Sequence, residues 1–194
     1  MGKYNAEDQD GYLLENNLFG AESYEKLEQL ESVAFSIRSS QLETTGFDWL
    51  IPLSVDNLKK IHEFLFQDVY PFAGEFRDVQ LMKGQTRFCQ AEFIESNLQK
   101  LCLQLQNEHN WKTIEEAAKK LAYYKAELNM IHPFREGNGR TLRLVIRELA
   151  RSKGYDWSFQ RIDQFSYIQA MIQSVVDDSL LQMNIEKTLS KFND

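Results

Sequence analysis

The stretch from His132 to Arg143 concentrates residue types that could carry chemistry: it reads His-Pro-Phe-Arg-Glu-Gly-Asn-Gly-Arg-Thr-Leu-Arg. Histidine titrates near neutrality, so His132 is a candidate general base. Arg140 and Arg143 lie three positions apart, so on a helix both can reach one anion, and the planar guanidinium suits phosphate oxygens. The stretch therefore predicts a site for a nucleotide's phosphates beside a group that accepts a proton.

The backbone of this stretch also predicts an anion site. Pro133 disfavours helical geometry at the residue before it, so one helix ends there and the glycine-containing loop opens the next. The first N–H groups of a helix have no intrahelical acceptor and, with the helix dipole, attract an anion. Gly137 and Gly139 lack a Cβ, so we expect close approach to a ligand and positive φ. Glu136 would repel an anion, but a bridging Mg²⁺, held by a carboxylate and substrate phosphates, resolves this conflict.

The remaining sequence predicts the elements that position this stretch, and most of them are helices because apolar residues recur at helical spacing. In order, the predicted segments are a polar lead-in over 1–20, a helix over 22–38, a loop over 39–53, a helix capped by Ser54, a β-hairpin over 78–89, and helices over 91–107, 113–131, after 139, 161–175 and 177–191. The buried face of the helix after 139 is predicted to comprise Leu142, Val145, Ile146 and Leu149. We expect one mainly α-helical domain over 1–194 with one β-hairpin.

Other polar residues are interpreted more simply. His62 and His109 are predicted to be ordinary loop histidines. Arg147 and Arg151 are predicted to form a solvated stripe with nearby acidic partners.

Composition narrows the function classes. A net charge of -7 and a pI of about 5.1 argue against a broad basic surface for nucleic acid. The two cysteines, Cys89 and Cys102, lack a zinc-binding spacing and are expected to be reduced thiols. The N-terminus does not resemble a signal peptide, and no run is apolar enough for a membrane span. We therefore expect a soluble, cytoplasmic protein without nucleic-acid or membrane partners.

The stretch from His132 to Arg143 resembles the signature of Fic-domain proteins, which is His-x-Phe-x-(Asp/Glu)-Gly-Asn-Gly-(Arg/Lys)-x-x-Arg. In that family the signature joins two helices. Every defining position is filled. Residues 70–77 resemble the family's segment before its hairpin, and 80–90 resemble the hairpin, called the flap. The resemblance covers about 55–155, which would be the core of the domain, with helical extensions on both sides.

The resemblance implies transfer of AMP from ATP to a Tyr, Thr or Ser hydroxyl of a target protein, with release of pyrophosphate. In that reaction His132 would deprotonate the hydroxyl, Phe134 would anchor the loop, and Glu136 would hold Mg²⁺. The phosphates would be bound by the loop residues Gly137, Asn138 and Gly139 and by the arginines Arg140 and Arg143.

The resemblance also implies a role for the hairpin, which would hold an extended target segment by strand addition. The residues involved would be Lys83, Gly84, Gln85, Thr86, Arg87 and Phe88. Three alternatives remain at this point: transfer of UMP or phosphocholine, transfer of phosphate as in the family's kinase-like branch, and a non-catalytic module that senses ATP. The kinase-like branch has a lysine near the position of Gly139, so the glycine here favours AMP transfer.

Regulation is the last expectation from the family. Many Fic proteins carry an inhibitory helix with the pattern (Ser/Thr)-x-x-x-Glu-(Gly/Asn), whose glutamate pairs with the second arginine of the motif, here Arg143. Only Glu15 and Glu136 are followed by Gly or Asn, and Gly11 and His132 occupy their Ser/Thr positions. The chain therefore resembles the toxin of a toxin–antitoxin pair, silenced by a small antitoxin that supplies the glutamate. A constitutively active enzyme and an effector domain delivered into another cell are the alternatives.

Overall fold

The computed structural model describes residues 9–192, which form eight α-helices and two small two-stranded sheets. The helices are α1 (Gln9–Glu15), α2 (Tyr24–Thr45), α3 (Val55–Phe66), α4 (Ile94–Gln106), α5 (Ile114–Ile131), α6 (Asn138–Ser152), α7 (Gln164–Gln173) and α8 (Ser179–Glu186). The strands are β1 (Met82–Lys83), β2 (Thr86–Arg87), β3 (Tyr155–Trp157) and β4 (Leu189–Lys191). The predicted mainly α class is confirmed.

Local signals fix the start of the helices around the site. The Ser54 side chain caps α3 by accepting from the Asn57 backbone N–H at 3.1 Å. Thr113 caps α5 in the same way through the N–H of Glu116, whose carboxylate reaches back to the N–H of Lys112. Both caps were predicted.

The packing of α5 on α6 builds the core beneath the loop that joins them. On α6 the predicted buried face is confirmed, because Leu142, Val145, Ile146 and Leu149 are all buried. On α5 the residues Leu121, Ala122 and Leu128 are buried as well. The loop from His132 to Gly137 therefore joins two helices that pack against each other.

The N-terminal part of the chain is more helical than predicted. Residues 9–15 form α1 inside the predicted polar lead-in, of which 1–8 lie outside the described residues. α2 runs through 39–45, which were predicted as loop, because Leu42 is buried and extends the stripe begun by Leu27 and Ala34. The helix ends where Gly46 adopts a φ of 86° and its N–H bonds the Leu42 carbonyl.

The C-terminal part contains a second sheet that was not predicted. The helix expected over 177–191 ends at Glu186, and β4 pairs antiparallel with β3, with Trp157 opposite Leu189. The Trp157 indole N–H donates to the hydroxyl of Thr188 at 3.2 Å. This pairing joins segments more than thirty residues apart, so no local pattern could reveal it.

In the part of the chain that the structure describes, none of the helices combines the length and the apolar character needed to cross a membrane.

Candidate active site

His132 lies where α5 ends and the loop before α6 begins, with its backbone in the left-handed conformation (φ 47°). Its Nδ1 lies 3.1 Å from the carbonyl oxygen of Asn129, which can only accept, so Nδ1 carries the proton. In the neutral ring Nε2 then bears the lone pair that a general base needs. The ring of Phe88 stacks on the imidazole with centroids 3.8 Å apart and fixes its plane.

The environment of His132 keeps the imidazole neutral. Burial is the main cause that lowers its pKa to about 3; the nearby cations Arg77, Lys83 and Lys125 act in the same direction, and the hydrogen bond to the Asn129 carbonyl opposes them. An unprotonated ring is the form that can accept a proton from a hydroxyl. The incoming triphosphate would bring negative charge that favours the imidazolium once it forms.

The loop after His132 is held in shape by the Asn138 side chain. Its amide donates to the Phe134 carbonyl at 2.6 Å, and its Oδ1 accepts from the Phe134 N–H at 2.9 Å. Both residues are fully buried. These bonds engage the side chain of Asn138 but not its backbone N–H. That N–H lies at the start of α6, where it has no intrahelical acceptor and can bind an anion.

The two glycines of the loop differ in what they require. Gly137 has a φ of 77°, and a Cβ there would lie 2.4 Å from the Phe66 ring, so a side chain fits neither the backbone nor the space. Gly139 lies in the first turn of α6 without positive φ, contrary to expectation. A Cβ on Gly139 would be 3.8 Å from Nη1 of Arg143, an ordinary contact. Only Gly137 is therefore needed by the fold itself.

His62 was wrongly predicted to be a loop histidine. It lies in α3, is buried, and stacks on Phe134 with ring centroids 3.7 Å apart. Its Nδ1 accepts from the Gly74 N–H at 2.9 Å, so Nε2 carries the proton and donates to the Glu136 carbonyl at 3.0 Å. Burial lowers the pKa of His62 to about 4. The neutral ring supports the loop from beneath.

The carboxylate of Glu136 belongs to a buried ion cluster. Its Oε1 accepts from the Gly137 N–H at 2.9 Å and lies 3.5 Å from Nη2 of Arg140. The same guanidinium pairs with Glu31 of α2, which also accepts from the Tyr70 hydroxyl. Phosphate oxygens would therefore have to compete with two carboxylates for Arg140. Glu31 could not be recognised from the sequence, because it precedes Arg140 by 109 residues.

Arg143 is placed differently from Arg140. Its guanidinium lies over the Phe159 ring, 4.9 Å from the centroid, and interacts electrostatically with the Tyr167 hydroxyl. Its Nη1 reaches back toward Gly139 at the start of α6. No carboxylate within 9–192 lies at ion-pairing distance from Arg143. This cation is thus available to an anion at the helix N-terminus.

Arg77 ties the hairpin to His132 and was not singled out from the sequence. Its Nε donates to the His132 carbonyl at 2.7 Å, and its Nη2 donates to the Ile131 carbonyl at 3.2 Å. Its Nη1 donates to the Val79 carbonyl at 2.5 Å, at the base of the hairpin. The side chain is buried, so one guanidinium satisfies the last carbonyls of α5 and positions the hairpin over the imidazole.

The hairpin is present where predicted, with Lys83 opposite Thr86 and strands of only two residues each. Of the six residues expected to dock a target, those exposed are Lys83, Gly84, Gln85 and Arg87, while Thr86 is half-buried and Phe88 is buried. The Phe88 ring contacts the imidazole, so it does not face a target. The backbone and the exposed side chains of the hairpin form the surface that a target could contact.

Of the two simpler interpretations, the one for His109 is confirmed; the one for Arg147 and Arg151 is confirmed for their acidic partners but not for solvation, because only 17% of the Arg147 side chain is exposed. Arg147 pairs with Glu43 and Glu148, and Arg151 pairs with Glu148. His109 is an exposed loop residue.

A single carboxylate is a fitting donor set for a Mg²⁺ that also binds substrate. Mg²⁺ takes one or two carboxylates together with phosphate oxygens and water, and Glu136 sits beside the helix N-terminus that would hold the phosphates. Residues 9–192 contain no group of three or more His, Cys, Asp or Glu side chains that could cage a metal. The residues therefore fit a metal that arrives with the nucleotide.

Comparison with known proteins agrees with this geometry. The model of the Fic/DOC family matches residues 52–150, a span that holds the loop, the hairpin and both helices of the site. The chain belongs to the Fic/DOC family.

Two relatives of this Fic/DOC chain and one solved structure of similar fold illustrate the match. Protein adenylyltransferase VbhT of Bartonella schoenbuchensis is 38% identical over 179 residues, which are 91% of this chain but only 37% of VbhT. Probable protein adenylyltransferase Fic of Escherichia coli is 32% identical over 167 residues, covering 84% of this chain and 83% of that protein. The structure of BepC from Bartonella tribocorum, with bound AMPPNP, has a TM-score of 0.77 at 19% identity and covers 91% of this chain and 92% of that one.

Proposed function

We propose that this chain is a protein adenylyltransferase, an enzyme that transfers AMP from ATP to a hydroxyl side chain of a target protein and releases pyrophosphate. The observation that carries the proposal is the juxtaposition of a neutral imidazole, His132, with a helix N-terminus and the guanidinium of Arg143, which has no carboxylate partner within residues 9–192. The names of the relatives VbhT and Fic support the same class.

In the proposed reaction the target hydroxyl lies beside Nε2 of His132. As its oxygen bonds to the α-phosphorus, the bond from that phosphorus to the bridging oxygen breaks, and pyrophosphate leaves with the electron pair. The hydroxyl proton passes to Nε2. The backbone N–H groups at the start of α6 and the guanidinium of Arg143 stabilise the charge on the phosphates. Positioning and charge stabilisation, rather than covalent chemistry by the protein, lower the barrier.

Glu136 would hold Mg²⁺ at this site. The ion would neutralise phosphate charge and orient the triphosphate while bound. The bond from the Gly137 N–H and the Arg140 guanidinium hold the Glu136 carboxylate in place. Arg140 would contact phosphate only by exchanging a carboxylate for a phosphate oxygen.

The target would approach along the hairpin. An exposed edge of β1 or β2 can pair with an extended segment, and Lys83 and Arg87 are exposed there. Because Phe88 joins the hairpin to the imidazole ring, a segment paired at that edge would be held in register with His132.

A mass-spectrometric experiment tests the activity. The protein is incubated with ATP and a cell lysate, and tryptic peptides are searched for an AMP-sized adduct on Tyr, Thr or Ser. We expect adducts with the wild type and none with His132→Ala, which keeps the loop but lacks the base. Equal adducts with both proteins would contradict the role of His132. No adduct with either, despite ATP binding, would favour a non-catalytic ATP-sensing module.

We further propose that a separate small antitoxin regulates the enzyme by supplying a glutamate to Arg143. The chain has no intact inhibitory pattern, and Arg143 has no acidic partner within the described residues. The alternatives are a constitutively active enzyme and a secreted effector. Expressing the chain alone should arrest growth of the host, whereas His132→Ala should not. If the wild type is as harmless as the variant, the toxin assignment fails.

A further inference from the structure

Every backbone carbonyl from His132 to Gly137 accepts a hydrogen bond from a donor within the protein. In chain order the donors are the Arg77 side chain, the Arg77 backbone, the side chains of Asn138, Gln9 and His62, and the Thr141 backbone. Because a peptide unit is planar, a bound carbonyl also fixes the direction of the N–H that follows it. The loop that would meet the phosphates is therefore held in one backbone conformation by contacts from several elements.

One of these donors comes from the N-terminal helix α1. The side chain of Gln9 is buried, and its Nε2 donates to the Arg135 carbonyl at 3.0 Å. Gln9 precedes Arg135 by 126 residues and lies outside the matched residues 52–150. The other side-chain donors lie within that span and are Arg77, His62 and Asn138. The support of the loop thus extends beyond the part of the chain that carries the family resemblance.

The same helix also contacts the side chain of Arg135. The Tyr12 ring lies against the guanidinium, with Cζ of Arg135 3.7 Å from the ring centroid. The Tyr12 ring packs in turn on Phe72, with centroids 5.6 Å apart, and Nη2 of Arg135 lies 2.6 Å from Oδ1 of Asp78. Only 12% of the Arg135 side chain is exposed, and contacts between a cation and an aromatic ring are strongest where water is excluded. Since Gln9 and Tyr12 are three positions apart, one face of α1 holds both the backbone and the side chain of residue 135.

The position of Arg135 matters because Glu136 follows it directly. The Gln9 bond fixes the peptide that links the two residues, and this peptide carries the backbone of Glu136. The carboxylate of Glu136 accepts from the Gly137 N–H, immediately before the first turn of α6. A rotation of the peptide would move the carboxylate and the start of the helix together. A displacement of about 1 Å in such a site can cost on the order of a hundredfold in rate.

We propose that Gln9 and Tyr12 are positioning residues of this site. They act through Arg135 and hold Glu136 and the start of α6 in the conformation that binds a triphosphate. The proposal rests on the proposed function for the identity of the ligand, ATP with Mg²⁺. It assigns to α1 a part in nucleotide binding, in addition to its packing role.

The test measures ATP affinity in the presence of Mg²⁺ by titration calorimetry, and the free energy of unfolding without ligand by urea denaturation. Gln9→Met keeps the length of the side chain but removes the donor, and Tyr12→Leu removes the ring face. Both variants should remain folded and bind ATP roughly tenfold more weakly, as is typical when a group that orients a ligand-binding residue is lost. Tyr12→Phe keeps the ring and should bind ATP as the wild type does. Glu15→Gln, at an exposed position of α1, is the control and should also match the wild type.

A purely structural role would give a different result. Gln9→Met and Tyr12→Leu would then lower the free energy of unfolding but bind ATP with unchanged affinity once folded, and this outcome would overturn the proposal. An equal loss of affinity in Tyr12→Phe and Tyr12→Leu would overturn the role of the ring face.

If the two variants do not fold, hydrogen exchange of the wild type decides. Coupling between two sites is reciprocal, so ATP with Mg²⁺ should slow the exchange of the backbone amides of α1, whereas adenosine, which lacks phosphates, should not. Unchanged exchange with bound ATP would contradict the proposal. A wild type that binds ATP but transfers no AMP would refute the proposed enzyme, while the affinities of the variants would still test the role of α1.

Discussion

At the scale of single residues, His62 and His132 flank the loop and illustrate what a sequence does and does not reveal. His132 is recognisable because the residues that give it a function follow it directly in the chain. The partners of His62 are Gly74 and Glu136, the latter 74 residues away, so nothing beside it signals a buried ring. Residues that act through distant partners, such as Glu31 and Arg77, were missed for the same reason.

The two loop glycines give a prediction at this scale. Gly139→Ala should keep or raise the free energy of unfolding, by up to about 1 kcal/mol, because alanine favours a helix and meets only ordinary contacts. The same change should weaken ATP binding at least tenfold, since the methyl group would stand where phosphate approaches the backbone. Chemical denaturation and calorimetric titration measure the two effects.

Gly137→Ala is the matched comparison. Its positive φ costs an L-residue roughly 1–3 kcal/mol, and the clash with Phe66 adds to that, so this variant should lose stability. If Gly139→Ala binds ATP as tightly as the wild type, the phosphates do not lie against that backbone.

At the scale of elements, α2 is longer than its sequence predicted, and it supplies a residue that pairs with the site. Only the first part was predicted to be helical, yet the helix continues to Thr45 and brings Glu31 against α6. Helices with side-chain caps, such as α3 and α5, or with regular apolar spacing, such as α6, were predicted well because those signals are local. The pairing of β3 with β4 and the extension of α2 depend on tertiary contacts that override local preference.

Glu31→Gln tests the tie between α2 and α6. Glutamine keeps the shape and one acceptor for Tyr70 but removes the negative charge that faces Arg140. We expect a loss of about 1–3 kcal/mol in the free energy of unfolding, measured by urea denaturation, because a buried charge-assisted bond is weakened. Glu28→Gln, at an exposed position of the same helix, is the control and should be neutral. Equal stability of Glu31→Gln and Glu28→Gln would show that the cluster does not hold the helices together.

At the scale of the whole molecule, two buried neutral histidines make stability depend on pH. The folded pKa values of about 4 for His62 and about 3 for His132 lie below the ordinary value of 6.5. Below pH 6.5 the unfolded chain therefore binds protons that the folded chain does not, so stability is complete above that pH and falls on acidification toward about pH 4. Each ring contributes at most about 1.4 kcal/mol per pH unit.

Urea denaturation between pH 7.5 and 4.5 measures this slope. His62→Gln should lose stability at neutral pH. Its free energy of unfolding should also fall less steeply on acidification, by up to about 1.4 kcal/mol per pH unit, because its unfolding takes up one proton fewer. His109→Gln, at an exposed loop position, should keep the wild-type slope. A slope that is unchanged in His62→Gln would mean that this ring is not held neutral in the folded protein.

The overall charge of -7 does not prevent a local cluster of cations at the start of α6, where Arg140 and Arg143 lie. Composition alone could exclude a broad basic face but could not locate that site, whereas the motif located it and the packing of α5 on α6 gave it shape.

The most direct measurement of the central claim, that this site presents the α-phosphorus of ATP to a hydroxyl beside His132, uses ATP labelled separately at the α and γ phosphates. Incubated with the protein, Mg²⁺ and a cell lysate, α-labelled ATP should label a protein band that γ-labelled ATP leaves dark, and His132→Ala should abolish the band. Label transferred from the γ position would mean that the nucleotide is bound in the opposite direction and that the enzyme is a kinase.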